Sequence, residues 1–135
     1  MPTPEEIAHA KAIYSAARGN SSNILLFEHD DCIRIAYEWL DAQEKTKGVL
    51  KSHFALKHII ESWALRYVSA SDVAVAAILH PEIRGSYPYF NISKRLTVPA
   101  LTRLESIGEA GKHPNYERPD GRRAGRGSMY HRTEF

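Results

Sequence analysis

A chain of 135 residues, 43% apolar and 25% charged, has the size and composition of one globular domain with its own core. The lone cysteine, Cys32, excludes an intramolecular disulfide, and no run of about 18 apolar residues offers a membrane span. The formal net charge of +2 hides an asymmetry: residues 1–83 carry 8 Lys/Arg against 11 Asp/Glu, whereas residues 84–135 carry 10 against 5, so the C-terminal part is the one expected to face a polyanion.

The opening MPTPEEIAHA has no charged region followed by an apolar one, so a cytoplasmic protein without a secretion signal is expected. Thr3-Pro4-Glu5-Glu6 starts a helix: Thr3 caps, Pro4 suits the first position, and the glutamates meet the positive end of the dipole. Ile7, Ala10, Tyr14 and Ala17 form its apolar stripe, and Gly19-Asn20 stops it. Ile24–Phe27 is an apolar run that fits either a buried strand or the lead-in to the next helix. Asp30-Asp31 opens a second helix, expected over 30–46, with Ile33, Ala36, Tyr37 and Leu40 on one face and Ile35 and Trp39 on another. Lys45 and Lys47 sit at its negative end, and Gly48 terminates it. A third helix is expected over 49–67, with Val49, Leu56, Ile60, Trp63, Ala64 and Tyr67 at helical spacings. His53 and His58 are five residues apart, whereas zinc-binding helical pairs are spaced by four, so no metal site is expected.

A fourth, very apolar helix is expected over 71–80, capped by Ser71 and ended by Pro81. The connector from Glu82 to Phe90 supplies Tyr87, Tyr89 and Phe90, which either staple it to the core or stack on bases. Asn91 can cap two helical turns through Leu96, with a strand as the alternative. Pro99 restarts a helix whose buried side is Leu101, Leu104 and Ile107, with Arg103 pointing away and Gly108 ending it. Beyond Glu109 the chain becomes basic and rich in glycine and proline. Pro119-Asp120-Gly121 signals a turn, and Ser128–Thr133 fits a strand with Met129, His131 and Thr133 on one face and Tyr130 and Arg132 on the other. This segment reads either as a β-hairpin or as a disordered basic tail.

From Tyr67 to Phe135, the capped small-residue helix, the Ser93-Lys94-Arg95-Leu96 segment, Arg103-Leu104-Glu105 before Gly108, and the basic end together resemble the winged helix-turn-helix superfamily of DNA-binding domains. Two features depart from that pattern: the connector is about twice the usual three- or four-residue turn, and Pro99 interrupts the recognition region. The resemblance implies a mainly α fold with a small β component. N-terminal helices would be followed by a winged-helix-like helix-turn-helix and a C-terminal β-hairpin or basic tail. The helical domain would span 1–108, its helix-turn-helix part 68–108, and the wing or tail 109–135. Either 91–97 or 99–107 would be the recognition helix. Ser93, Lys94, Arg95 and Arg103 would face DNA from it, and Arg118, Arg122, Arg123, Arg126 and Arg132 from the wing. The expected partner is double-stranded DNA, bound by a small regulator acting as a homodimer.

A rival reading is a small interaction or inhibitor protein, of the phage or mobile-element type, that docks on a larger nucleic-acid-handling machine. Its support is the aromatic connector and the acidic face Glu38, Asp41 and Glu44. An enzyme is not expected. Glu28, Asp30 and Asp31 around His29 form the densest polar cluster, but acids at a helix start are better explained by capping. No cofactor is expected either.

Overall fold

The computed structural model of the chain describes residues 1–18, 27, 29–51, 55–112 and 130–134. Among these, four helices come first: α1 (Pro4–Arg18), α2 (Asp30–Asp41), α3 (Leu56–Ala64) and α4 (Ala70–Leu79). Short strands follow at Gly85–Ser86 (β1), Tyr89–Phe90 (β2), Leu96–Val98 (β3) and Tyr130–Thr133 (β4), with one 3₁₀ turn at Leu101–Leu104. The chain is mainly α with a small β component and a C-terminal strand, as its sequence led us to expect. None of its described helices is long and apolar enough to cross a membrane.

Local chemistry sets the helix starts. Thr3 and Glu6 form a reciprocal cap on α1: the Glu6 N–H donates to Thr3 Oγ1 at 3.2 Å, and the Thr3 N–H donates to Glu6 Oε1 at 2.9 Å. His29 rather than an acid caps α2, its Nδ1 accepting the Asp31 N–H at 2.9 Å. The cap of α4 is Ser69, two residues before the expected Ser71, because Asp72 can complete a capping box with it at 3.0 Å in both directions. α4 then runs as a buried post against α1 and α2, with Val73, Ala74, Val75, Ala76 and Ala77 all inside. Its alanines allow the neighbouring helices to come close. Ile33, Ile35, Trp39 and Leu40 of α2 and Leu56, Ile59 and Ile60 of α3 complete the core.

Two helix boundaries differ from expectation for one shared reason. α2 ends at Asp41 rather than near 46, and α3 begins at Leu56 rather than 49. Residues 44–50 instead run antiparallel to residues 90–93. Ser93 donates to Glu44 O at 2.9 Å, Thr46 to Asn91 O at 2.9 Å, and Leu50 to Phe90 O at 3.0 Å. Lys45 and Ile92 form a bridge in the same ladder. Backbone groups committed to that ladder cannot also propagate a helix. Val49, expected on the buried stripe, is exposed, and Gly48 does not end a helix.

The same pairing overturns the expected recognition helix. Residues 91–97 form no helix but a bridge at Ile92, bends at Lys94 and Arg95 and the start of β3, with Ile92 and Leu96 fully buried, and residues 99–107 contain only the 3₁₀ turn. Leu104 and Ile107 are buried as expected, but Leu101 is exposed and Arg103 is drawn inward rather than pointing away. Among the described residues no α-helix follows Leu79.

β1 and β2 form a tight antiparallel hairpin, Gly85 opposite Phe90 and Ser86 opposite Tyr89. Gly85 sits at φ +96, and a Cβ there would strike the Tyr89 carbonyl, so no other residue fits without moving the strand. β4 lies parallel to β3, pairing Leu96 with Tyr130, Thr97 with Arg132 and Val98 with Thr133. Along β4, Tyr130 and Arg132 turn inward while His131 and Thr133 are exposed, the alternation read from the sequence. The expected hairpin partner of this strand and its turn lie outside the described residues.

Candidate nucleic-acid interface

Two groups of charged residues draw on both halves of the chain, and they differ in kind. The first is a closed cluster at the C-terminal end of α2. Arg103 donates from Nη1 to Glu38 Oε1 at 2.8 Å and to Asp41 Oδ2 at 2.9 Å, and from Nε to both oxygens of Glu134, at 2.8 and 2.9 Å. Its Nη2 also contacts Glu134. Glu134 Oε1 further accepts the Ala100 N–H at 2.6 Å. Only 19% of the Arg103 side chain is exposed, and its hydrogen bonds to Glu134, Asp41 and Glu38 hold the guanidinium firmly charged.

The carboxylates respond in turn. Hydrogen bonds from Arg103 hold Glu134 below the usual carboxylate range against the opposing effect of burial. Burial pushes Asp41 upward, but hydrogen bonds to His80 and Arg103 outweigh it and leave Asp41 lowered. His80 is buried, with Nε2 2.8 Å from Asp41 Oδ1 and Nδ1 accepting the Glu82 N–H at 3.1 Å. Nδ1 therefore carries no proton, and Nε2 is the donor to Asp41. Nearby, Gln43 bonds the Thr97 backbone in both directions at 2.9 Å, and Trp39 donates to the Tyr130 hydroxyl at 3.0 Å. This cluster ties α2, the 3₁₀ turn, β3 and β4 together.

The second group is open. Residues 44–50 and 90–93 run beside each other, and Arg84 reaches across, donating to Lys47 O at 2.7 Å and to Thr46 O at 3.4 Å. Asn91 locks the crossing: its Oδ1 accepts the Arg84 N–H at 2.5 Å, and its Nδ2 donates to Glu82 O at 3.0 Å. On and next to these segments are five exposed cations, Lys47, Lys51, Arg84, Lys94 and Arg95. The exposed carboxylates on them are Glu44 and Glu82, and Glu44 is paired with Arg132. Lys45 is drawn aside, donating to Asp41 O at 2.6 Å, and burial lowers its ammonium below the ordinary lysine value.

The expected site residues divide between the two groups. Lys94 and Arg95 are exposed on the open rim. Ser93 lies beside them, its Oγ accepting from the Arg95 N–H at 3.1 Å and from Arg132 Nη2 at 3.2 Å. Arg132 is engaged by Glu44 and Ser93, and Arg103 belongs to the closed cluster. Arg118, Arg122, Arg123 and Arg126 lie outside the described residues. Lys47, Lys51 and Arg84 did not stand out in the sequence. Lys47 looked like a helix-terminal cation, and only the long-range pairing places it on a segment lying along residues 90–93. Among the described residues, no group of three or more His, Cys, Asp or Glu side chains could hold a metal ion. No family model, curated protein or solved structure matches this chain.

Proposed function

We propose that the protein binds DNA through the open rim, with Lys47, Lys51, Arg84, Lys94 and Arg95 contacting backbone phosphates. The observation that supports this is the exposure of these cations on or next to two paired segments whose acids are few and partly neutralised. Charge of one sign displayed on a fixed backbone suits a polyanion, and phosphate contacts of this kind position a protein without reading sequence. The excess of Lys and Arg after residue 84 adds to the attraction. A small regulatory role fits such a protein, and a homodimer would double the length of DNA covered.

The test is fluorescence anisotropy with labelled DNA over a salt series. Binding should weaken steeply between about 50 and about 200 mM salt, because each neutralised phosphate releases counterion. K94A/R95A should bind more weakly and with a shallower salt dependence. No binding at any salt would remove the proposal. The second reading, docking on a larger nucleic-acid-handling machine, draws on an apolar groove of about 640 Å³ between α1, α4 and the β1–β2 hairpin, lined by Tyr14, Ala74, Ile78 and Tyr87 among others. Substitution of Ile78 by Asp would abolish such docking and leave DNA affinity unchanged.

A further inference from the structure

His80 closes α4 and is the one buried histidine among the described residues, its side chain only 1% exposed. Both ring nitrogens are committed, in opposite senses. Nε2 lies 2.8 Å from Asp41 Oδ1 and donates to it, whereas Nδ1 accepts the Glu82 N–H at 3.1 Å. A neutral imidazole has one donor and one acceptor, so these two partners suit the neutral ring and fix its tautomer. From this we infer that His80 is a proton-operated latch between the end of α2 and the turn that follows α4.

The charged ring has two donors and no acceptor. Its Nδ1–H would point at the Glu82 N–H with no electron pair between the two hydrogens, so that contact breaks. The other side of the ring gains. Asp41 remains an acceptor and now faces a full positive charge, and a charge-assisted bond is the stronger kind. One proton thus strengthens the tie to α2 and severs the tie to the turn. The surrounding groups lean both ways. Tyr37 of α2 lies beside the imidazole, with ring centroids 5.0 Å apart. Burial and the carboxylates of Asp41, Glu38, Glu6 and Glu82 raise its hydroxyl above the ordinary tyrosine value, so it stays neutral. Those acids, on α1, α2 and the turn, make the surroundings negative and favour a cation. Positive charge comes from Arg103, bonded to Asp41 Oδ2 at 2.9 Å, and from Lys45, bonded to the Asp41 carbonyl at 2.6 Å.

What the latch holds is short. The Glu82 carbonyl accepts Asn91 Nδ2 at 3.0 Å, and two residues on the Arg84 N–H donates to Asn91 Oδ1 at 2.5 Å. Asn91 therefore grips the turn from one side and His80 from the other. Once the His80 grip on the Glu82 amide is released, Asn91 and the long bond from the Ile83 N–H to His80 O, 3.4 Å, are left to hold it. Proton uptake loosens Pro81–Ile83 while the helices stay folded, and the change reaches Arg84, whose guanidinium donates to Lys47 O at 2.7 Å.

The experiment is an NMR titration of the ¹⁵N-labelled full chain from about pH 8 to about pH 5, the range in which a histidine can act as a switch. It follows the His80 ring nitrogens and the Glu82 amide, with hydrogen exchange at each pH corrected for the intrinsic rate. At the alkaline end the ring should show the Nε2–H tautomer. As the ring takes up its proton, the Glu82 amide should shift with the same midpoint and lose about tenfold in protection, while amides inside α2 and α4 keep theirs. H80N places an uncharged acceptor near the Nδ1 position, and the Glu82 amide should then stay protected throughout. An Nδ1–H tautomer, a ring that stays neutral to the acid end, or a Glu82 amide that ignores the titration overturns the inference. Loss of protection in α2 and α4 in the same step overturns it too, because the proton would then unfold the protein instead of releasing the turn. The wild-type readings decide among these outcomes even where H80N does not fold, and none of them involves DNA.

Discussion

Arg95 and Arg103 are eight residues apart and meet opposite fates. Arg103 enters a cluster of three carboxylates and becomes part of the scaffold, whereas Arg95 stays exposed at a bend just before β3. The closed cluster joins the end of α2, the 3₁₀ turn and the residue after β4. The rim is held by backbone bonds and by Asn91, leaving its cations outside. An arginine's identity therefore says little about its task. What decides it is whether the fold supplies carboxylates within reach.

Substitutions can break this contrast. R103A should have the largest effect, because it leaves Glu38, Asp41 and Glu134 facing one another without a cation. We expect a loss of about 2–4 kcal/mol in urea denaturation, with no direct effect on rim chemistry. Q43A comes next, at about 1–3 kcal/mol, since it strands the Thr97 N–H and C=O in a buried place. Acid should act on the same cluster more gently. Asp41 and Glu134 are lowered in the folded state, so their contribution is complete above the unfolded carboxylate pKa and is lost as pH falls through the folded values. Stability measured by urea denaturation should therefore drop below about pH 4, and R103A should show a flatter acid limb. K94A/R95A sits at the small end for stability, within about 0.5 kcal/mol of wild type. Its effect should appear instead in the salt dependence of DNA binding, reducing the slope by about 0.7–0.9 for each phosphate that the variant no longer neutralises. A double variant that unfolded the protein would erase the distinction between cluster and rim.

The parts of the fold written in neighbouring residues are readable from the sequence. Thr3-Pro4-Glu5-Glu6 marks α1 because its cap closes within one turn. The alternation of Tyr130, His131, Arg132 and Thr133 marks β4 for the same reason of short range. The misreadings all concern partners far away along the chain. Lys45 to Leu50 carries helix-like spacing, yet its backbone is claimed by Phe90, Asn91 and Ile92 some forty residues on. Asn91–Leu96 has a capping residue and apolar spacing that tolerate a helix, and the pairing with residues 44–50 on one side and with β4 on the other forbids one. For the site, exposed Lys94 and Arg95 are legible as a basic pair, but nothing near Arg103 announces carboxylates at positions 38, 41 and 134.

The ladder between residues 44–50 and 90–93 also governs the order in which the molecule comes apart. The helices α1 to α4 close mostly over short stretches of chain, whereas this ladder and the β3–β4 pair must bring distant segments together. Pairings of that kind carry a larger loop-closure cost and form slowly. Hydrogen exchange should find the amides of Thr46, Leu50 and Ser93 exchanging as one cooperative unit, ahead of those in α2 and α4. DNA seated across both strands of the ladder would slow that unit alone, so ligand occupancy would be written in the exchange rates of three amides that never touch the ligand.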